Sequence, residues 1–395
     1  MNSFPDRGAD TAMSGELFPI EGEETANNAS QQLLDVLRLN LVPGIGPRTY
    51  QLLLERFETP SRILQATVSQ LQEVQNVGPK LAMSVVTHGT EAAAREELAR
   101  AQGAGVSLLI RGQEPYPADL ARIPDPPTLL YCLGSLLPAD QLAVAIVGSR
   151  HCTSYGRQQA NRLAQGLARA GITVVSGLAR GIDAEAHRGA LEAGGRTIAV
   201  CATGLGTVYP PEHADLADAI QKQGCLLTES PMEQQPKSGL FPQRNRIISG
   251  ISLGVVLIEA GRNSGALHTA RHAMEQNRDV FAVPGRIDSE ASFGCLDLIR
   301  DGATLIRGVD DVLNHLGPLV APVRRTPTET VHRPVELQLS DQQRMVLNFV
   351  PNEPIAVDEV MRMAGIESSR VLSTLTILEM KRLIRRMPGG FVQRY

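Results

Sequence analysis

Tryptophan is missing from all 395 residues, and only six tyrosines and eight phenylalanines occur. An aromatic side chain at the surface of this protein is therefore a feature to be explained. No apolar run approaches the roughly eighteen residues of a membrane-spanning helix. The acidic N-terminus lacks the apolar core of a signal peptide, so none is expected. Neither sign of charge dominates: 38 Lys and Arg stand against 42 Asp and Glu, a net −4. Residues 1–30 alone carry one arginine and six acids, which leaves 37 basic and 36 acidic residues for the rest. With no global basic field, any nucleic-acid surface must be a local patch. The five cysteines (Cys132, Cys152, Cys201, Cys225, Cys295) show no C-x-x-C and no metal-ligand spacing. They read as free, buried thiols of a reducing compartment, the cytoplasm.

What is present is organised around residues 142–187. The apolar run 142–147 ends on Gly148-Ser149-Arg150, a helical pattern follows to Gly171, and a second apolar run, 172–175, ends on Ser176-Gly177. This is a right-handed βαβ unit. The alternation continues, predicting strands at 142–147, 172–176, 197–202, 225–229, 254–259, 279–283 and 303–307. Helices are expected near 155–170, 182–194, 212–223, 245–252, 265–277 and 293–301. Continuous apolar strands imply a sheet covered on both faces, an α/β, doubly wound, mostly parallel Rossmann-like sheet.

Flanking it, residues 31–105 read as a helical unit with two similar phrases, Val42-Pro43-Gly44-Ile45-Gly46-Pro47-Arg48 and Val74-Gln75-Asn76-Val77-Gly78-Pro79-Lys80. Each is a short turn before a helix opened by a basic residue, as in a tandem helix-hairpin-helix (SAM-like) domain. Such turns either hold a DNA phosphate or simply join helices, and Asn76 in place of a glycine weakens the second copy. A strand is expected at 106–110, followed by a proline-rich linker, PYPADLARIPDPPTLLYCLG, wrapping one edge of the next domain. The expected division is a disordered acidic leader (1–30), the helical domain (31–105), the Rossmann-like domain (106–316), a linker (317–339) and a winged helix (340–395). The last comprises three helices and a hairpin turning at Pro388-Gly389-Gly390. It carries Arg370, Lys381, Arg382, Arg385, Arg386 and Arg394 and suits either DNA or a protein partner.

The chemistry of the sheet edge is that of a binder. GSRHCTSYG is not G-x-G-x-x-G, the second strand ends on Ser176-Gly177 where a dinucleotide fold needs an acid, and no Walker A sequence occurs. No cofactor and no metal are expected. Asp183 reads as a helix cap. Glu229 and Glu259 read as holders of arginines or backbone N–H groups, so catalysis is not expected. The edge does gather Gly148, Ser149, Arg150, Ser176, Gly177, Arg180, Gly181, Gly204, Phe241, Arg244, Asn245 and Arg246. Glycines and helix N-termini admit phosphates, and arginine grips phosphate or stacks on bases. Phe241 is either a stacking platform for unpaired bases or a core residue. Arg244 and Arg246 either contact DNA or pair with Glu229 or Glu259.

These residues lie in IVGSRHCTSYG (146–156), SGLARGIDAEAH (176–187), GLGTVYP (204–210), FPQRNRIISG (241–250), EAGRNSGALHTARHA (259–273) and PGRIDSEASFGCLDLIRDGA (284–303). In these motifs the chain resembles the DNA-processing protein A (DprA, or Smf) family. The resemblance implies a dimer that binds and protects single-stranded DNA during natural transformation and helps load the RecA recombinase, without enzymatic turnover. It points to Gly148, Ser149, Arg150, Arg180, Phe241, Arg244 and Arg246 as DNA contacts. The rival is an enzyme, a Rossmann-type nucleotide N-glycoside hydrolase of the lysine-decarboxylase-like group, whose PGGxGTxxE phrase is replaced here by EAGRNSGALHTA.

Overall fold

The computed structural model describes residues 21–317, 323–326 and 329–395. Six helices come first: α1 (Glu21–Asn40), α2 (Pro47–Phe57), α3 (Pro60–Gln65), α4 (Val68–Gln72), α5 (Pro79–His88) and α6 (Glu91–Gly103). Of the leader expected over 1–30, residues 1–20 lie outside the described residues, and α1 begins at Glu21. The two turn phrases precede α2 and α5, with Gly46 and Gly78 as N-caps and Pro47 and Pro79 in the first helical turn. Proline suits that position because its missing N–H has no intrahelical partner there. Gly44 and Asn76 occupy matching places with φ of 96° and 68°. Asn76 is thus no defect in the second copy, since asparagine tolerates the left-handed region better than most residues.

The central sheet follows: β1 (Val106–Ile110), β2 (Leu129–Gly134), β3 (Ala143–Gly148), α7 (Ser154–Arg169), β4 (Thr173–Ser176), α8 (Ile182–Glu192), β5 (Thr197–Val200), α9 (Ala214–Gln223) and β6 (Gly224–Thr228). Then come α10 (Leu240–Gly250), β7 (Gly254–Ile258), α11 (Ala266–Glu275), β8 (Asp279–Ala282), α12 (Phe293–Arg300), β9 (Thr304–Leu305) and α13 (Val309–His315). The strand order is β1-β2-β6-β5-β4-β3-β7-β8-β9. The seven strands from β6 to β9 run parallel. All seven expected parallel strands are present. The proline-rich stretch differs from expectation: its end is β2, a sheet strand antiparallel to both β1 and β6.

Strand residues alternate between two cores. Ala143, Ala145 and Val147 face a cluster with Ile247, Ile248 and Ala270 of α10 and α11. Val144 and Ile146 face one with Leu163, Leu167 and Ile182 of α7 and α8. Each fully buried Val, Ile or Leu contributes about 1.5–3 kcal/mol. The chain builds outward from β3 to β6 on one side, crosses back over α10, and builds outward again from β7. The order therefore reverses between β3 and β7, where open α/β sheets bind ligands at the carboxyl ends of the strands.

Residues 323–339, expected as an aperiodic linker, carry a two-stranded ladder, β10 (Val323–Thr326) and β11 (Glu329–Val331), and a 3-10 turn at Pro334–Gln338. Leu337 packs into the sheet's second core and Val335 into the C-terminal one. That C-terminal unit comprises α14 (Asp341–Asn348), β12 (Ile355–Ala356), α15 (Val357–Ala364), α16 (Ser368–Met380), β13 (Ile384–Met387) and β14 (Phe391–Arg394). This is a winged helix, opened by a capping box on Ser340. Among the described residues, no helix is long and apolar enough to cross a membrane.

Candidate nucleic-acid interface

The carboxyl ends of β3 and β7 are tied together before any ligand is considered. Ser149 donates its N–H to the Glu259 carbonyl at 2.8 Å. The Glu259 carboxylate accepts the Thr153 N–H at 2.7 Å and the Thr153 hydroxyl. It thereby places negative charge at the N-terminus of α7, where the helix dipole favours it. The loop after β4 is held from two sides. Asp183 accepts the N–H groups of Gly177 at 3.1 Å and Ala179 at 3.4 Å. Arg244 donates to the carbonyls of Gly177, at 2.5 Å, and Val200. Burial pushes the Asp183 carboxyl up, and the Arg244 charge opposes that. Burial likewise pulls the Arg244 guanidinium down, against Asp183.

Between the ends of β3, α10 and the turn before α11 opens a cavity of about 660 Å³. Ser149, Arg150, His151, Phe241, Asn245 and Ser264 line it. The guanidinium of exposed Arg150 lies 4.9 Å from the centroid of the half-buried Phe241 ring. Tyr209 stands 5.8 Å from the same ring. Arg150, Arg180, Tyr209 and Phe241 border one adjoining crevice. Arg180 is exposed and paired with Glu212.

The basic run 241–246 is divided by geometry. It forms the first turns of α10, five residues earlier than the helix expected at 245. At about 100° per residue, Phe241, Arg244 and Asn245 fall on one face and Gln243 and Arg246 on another. Arg246 therefore points away from the large cavity and pairs with Glu229 and, at 3.1 Å, with Asp125. Burial pushes Glu229 up, and Arg246 opposes that.

A family model described as "DNA recombination-mediator protein A" matches residues 107–317. The chain belongs to this family. A DprA winged-helix model matches 331–390, and a SAM-like helix-hairpin-helix tandem matches 36–88. Among relatives, Protein Smf of Synechocystis is 34% identical over 384 residues, covering 89% of this chain and 96% of its own length. Protein Smf of Escherichia coli is 39% identical over 293 residues, covering 72% and 77%. The crystal structure of DNA processing protein A from Streptococcus pneumoniae superposes with a TM-score of 0.63 at 35% identity, covering 71% of this chain and 96% of that one.

In this member of the recombination-mediator family, the site glycines serve the protein itself. A side chain on Gly148 would meet the Ile258 carbonyl at 1.9 Å, one on Gly177 the Arg244 guanidinium at 2.4 Å, and one on Gly204 the Pro231 carbonyl at 2.0 Å. A side chain on Gly181, whose φ is 76°, would meet the Ser149 carbonyl at 2.3 Å. The N–H groups of Gly177 and Gly204 are already spent on Asp183 and on the Gln234 carbonyl. At Gly177 and Gly204 the amides serve the protein's own loops; at Gly148 and Gly181 the observation is close packing of one loop on the next. Ser176 is buried, its hydroxyl donating to the Ile146 carbonyl at 2.6 Å. Ser149, Arg150, Phe241 and Asn245 line the large cavity and Arg180 the adjoining crevice, each with an exposed or half-buried side chain. Sequence reasoning missed Tyr209 and Ser264. Tyr209 was discoverable as one of very few aromatics; Ser264 had no comparable signal.

Proposed function

We propose that this protein binds unpaired DNA in the cavity at the β3/β7 switch point. The observation that carries this reading is the Arg150–Phe241–Tyr209 cluster at the mouth of that cavity. An aromatic face stacks on any base and a neighbouring guanidinium meets the backbone, a combination that suits single strands and is largely indifferent to sequence. Duplex DNA keeps its base faces stacked and offers that ring nothing. Relatives named DNA processing protein DprA, in Bacillus subtilis and Streptococcus pneumoniae, support a role in DNA processing. In this reading the protein protects incoming strands during natural transformation and presents them to RecA, as a cytoplasmic homodimer. Two pockets on one strand gain avidity when the strand spans both. Met274 of α11, about half exposed, supports a protein contact on that face. Five buried, free cysteines support a reducing compartment.

The site binds without turnover in this proposal. Asp183, Glu229 and Glu259 each hold protein groups, so none is positioned as a free acid or base. Incubation with nucleoside monophosphates is expected to release no free base. The deciding experiment is a salt-titrated comparison of single-stranded and duplex DNA with the full chain. Tighter, salt-sensitive binding of the single strand is expected. Equal affinity for both forms would reject the proposal.

A further inference from the structure

A second cavity, of about 320 Å³, lies at the junction of the helical unit and the sheet. That volume falls within the roughly 300–1,000 Å³ of small-molecule sites. Its roof is the first hairpin, Ile45 to Pro47, with Tyr50; its floor is the carboxyl ends of β5 and β6. Neither the family resemblance nor the large cavity accounts for it.

The two cavities are neighbours along one edge of the sheet, with shared walls. Arg244 lines both, Ala202 joins the junction cavity to the small crevice at Arg180, and Phe241 joins that crevice to the large cavity. They follow the ends of β7, β3, β4, β5 and β6 in order, a track of roughly 19 Å at the usual strand spacing. A strand stacked on Phe241 and continuing along this edge arrives beneath the hairpin.

The chemistry there differs from that at Arg150. Arg246, buried, engages Asp125 at 3.1 Å and Glu229. Two carboxylates against that one arginine repel a phosphate. A carboxylate keeps acceptor capacity on both oxygens, and Asp125 is about half exposed. The exposed amide of Gln243 stands on the same wall, and Ile45, Pro47 and Leu240 supply apolar surface for a ring face.

We infer that the junction cavity is a second subsite for the same DNA strand, taking a base that carries an exocyclic amino group. Asp125 is the acceptor that favours cytosine over thymine, because the cytosine N4 amino group donates where the thymine O4 only accepts. The helical unit thus closes over the single strand and takes part in its recognition. This rests on the single-strand reading above and adds a preference on top of sequence-tolerant stacking.

The test compares oligo(dC) with oligo(dT) of equal length, by fluorescence anisotropy on the full chain. Tighter binding of oligo(dC), by roughly threefold to tenfold, is expected. Asp125→Ala is expected to bring the two affinities together, with oligo(dC) losing its advantage over oligo(dT). Arg150→Ala should weaken both and preserve their ratio. Equal affinities in the unsubstituted protein, or a preference that survives Asp125→Ala, overturn the subsite alone. Failure to bind either oligomer overturns the single-strand reading together with it. Should Asp125→Ala lose its cooperative unfolding transition, the unsubstituted ratio and the near-isosteric Asp125→Asn, whose amide can accept from cytosine or donate to thymine, decide: the ratio must be present and must fall.

Discussion

Arg244 donates to the carbonyl oxygen of Gly177 at 2.5 Å from a position that is 5% exposed. A guanidinium so placed shapes the binding loop from beneath. Removing it takes the donor away from the Gly177 and Val200 carbonyls and a favourable charge away from buried Asp183, and each hydrogen-bond partner left unsatisfied costs about 1–3 kcal/mol. Arg244→Ala is therefore expected to lower stability and DNA binding together. Arg244→Lys should restore only part, because an ammonium cannot reproduce the planar fork that reaches both Gly177 and Val200. Chemical denaturation beside a binding isotherm checks this. Lost binding at undiminished stability would make Arg244 a direct DNA ligand instead.

Arg150 has the opposite character. It is exposed and stacked on Phe241, so its loss should leave stability nearly unchanged. Arg150→Ala is expected to weaken single-strand binding similarly for all sequences and to reduce the salt slope by about one counterion. Phe241→Ala should weaken binding by about 1–3 kcal/mol, the range for base–aromatic stacking, with the salt slope retained. Affinities measured over a series of salt concentrations separate the two contributions. An unchanged slope in Arg150→Ala would remove that residue from the interface.

The paired hairpins give a conformational prediction. Asn76 holds φ of 68° where the first copy has Gly44. Asn76→Gly should be tolerated, whereas Asn76→Val should cost about 1–2 kcal/mol, because a β-branched side chain crowds its own backbone in that region. Amide exchange within α5 reads the difference. Equal exchange in the two variants would show that the turn relaxes to another conformation.

The parallel sheet was legible because strands buried on both faces are written as uninterrupted apolar runs between helical patterns. β2 was not, because Pro124, Pro126 and Pro127 gave its approach the look of a linker, although the strand begins just beyond them at Leu129. The site was legible as a gathering of residues along one edge but not in their directions. Placing the start of α10 at residue 245 hid that Arg244 and Arg246 leave the helix on different faces. Pro242 is no obstacle to the earlier start, since a proline is compatible with the first turn. The glycines were legible as necessary and misleading as to why. Only the folded chain shows the Ile258 carbonyl and the Arg244 guanidinium filling the space that a side chain would need.

His187 predicts how acid acts on the same loop. It is fully buried on α8, just beyond the segment carrying Arg180 and Asp183. The Thr197 hydroxyl donates to the Val174 carbonyl at 2.7 Å, so at the 2.7 Å His187–Thr197 contact the proton must sit on Nδ1. Nε2 has no partner among the described residues. A second proton there would be buried and unpaired, and burial, with the His213 charge adding to it, lowers the imidazole pKa from 6.5 to about 3. The unfolded chain therefore takes up this proton first. The stability tied to a neutral His187 is whole above pH 6.5, and falls as the pH drops from 6.5 towards about 3. The slope is at most about 1.4 kcal/mol per pH unit. Urea unfolding followed by circular dichroism, the natural probe for a chain without tryptophan, should show this loss and show it reduced in His187→Gln. Parallel acid limbs for the two proteins would assign the loss to other groups.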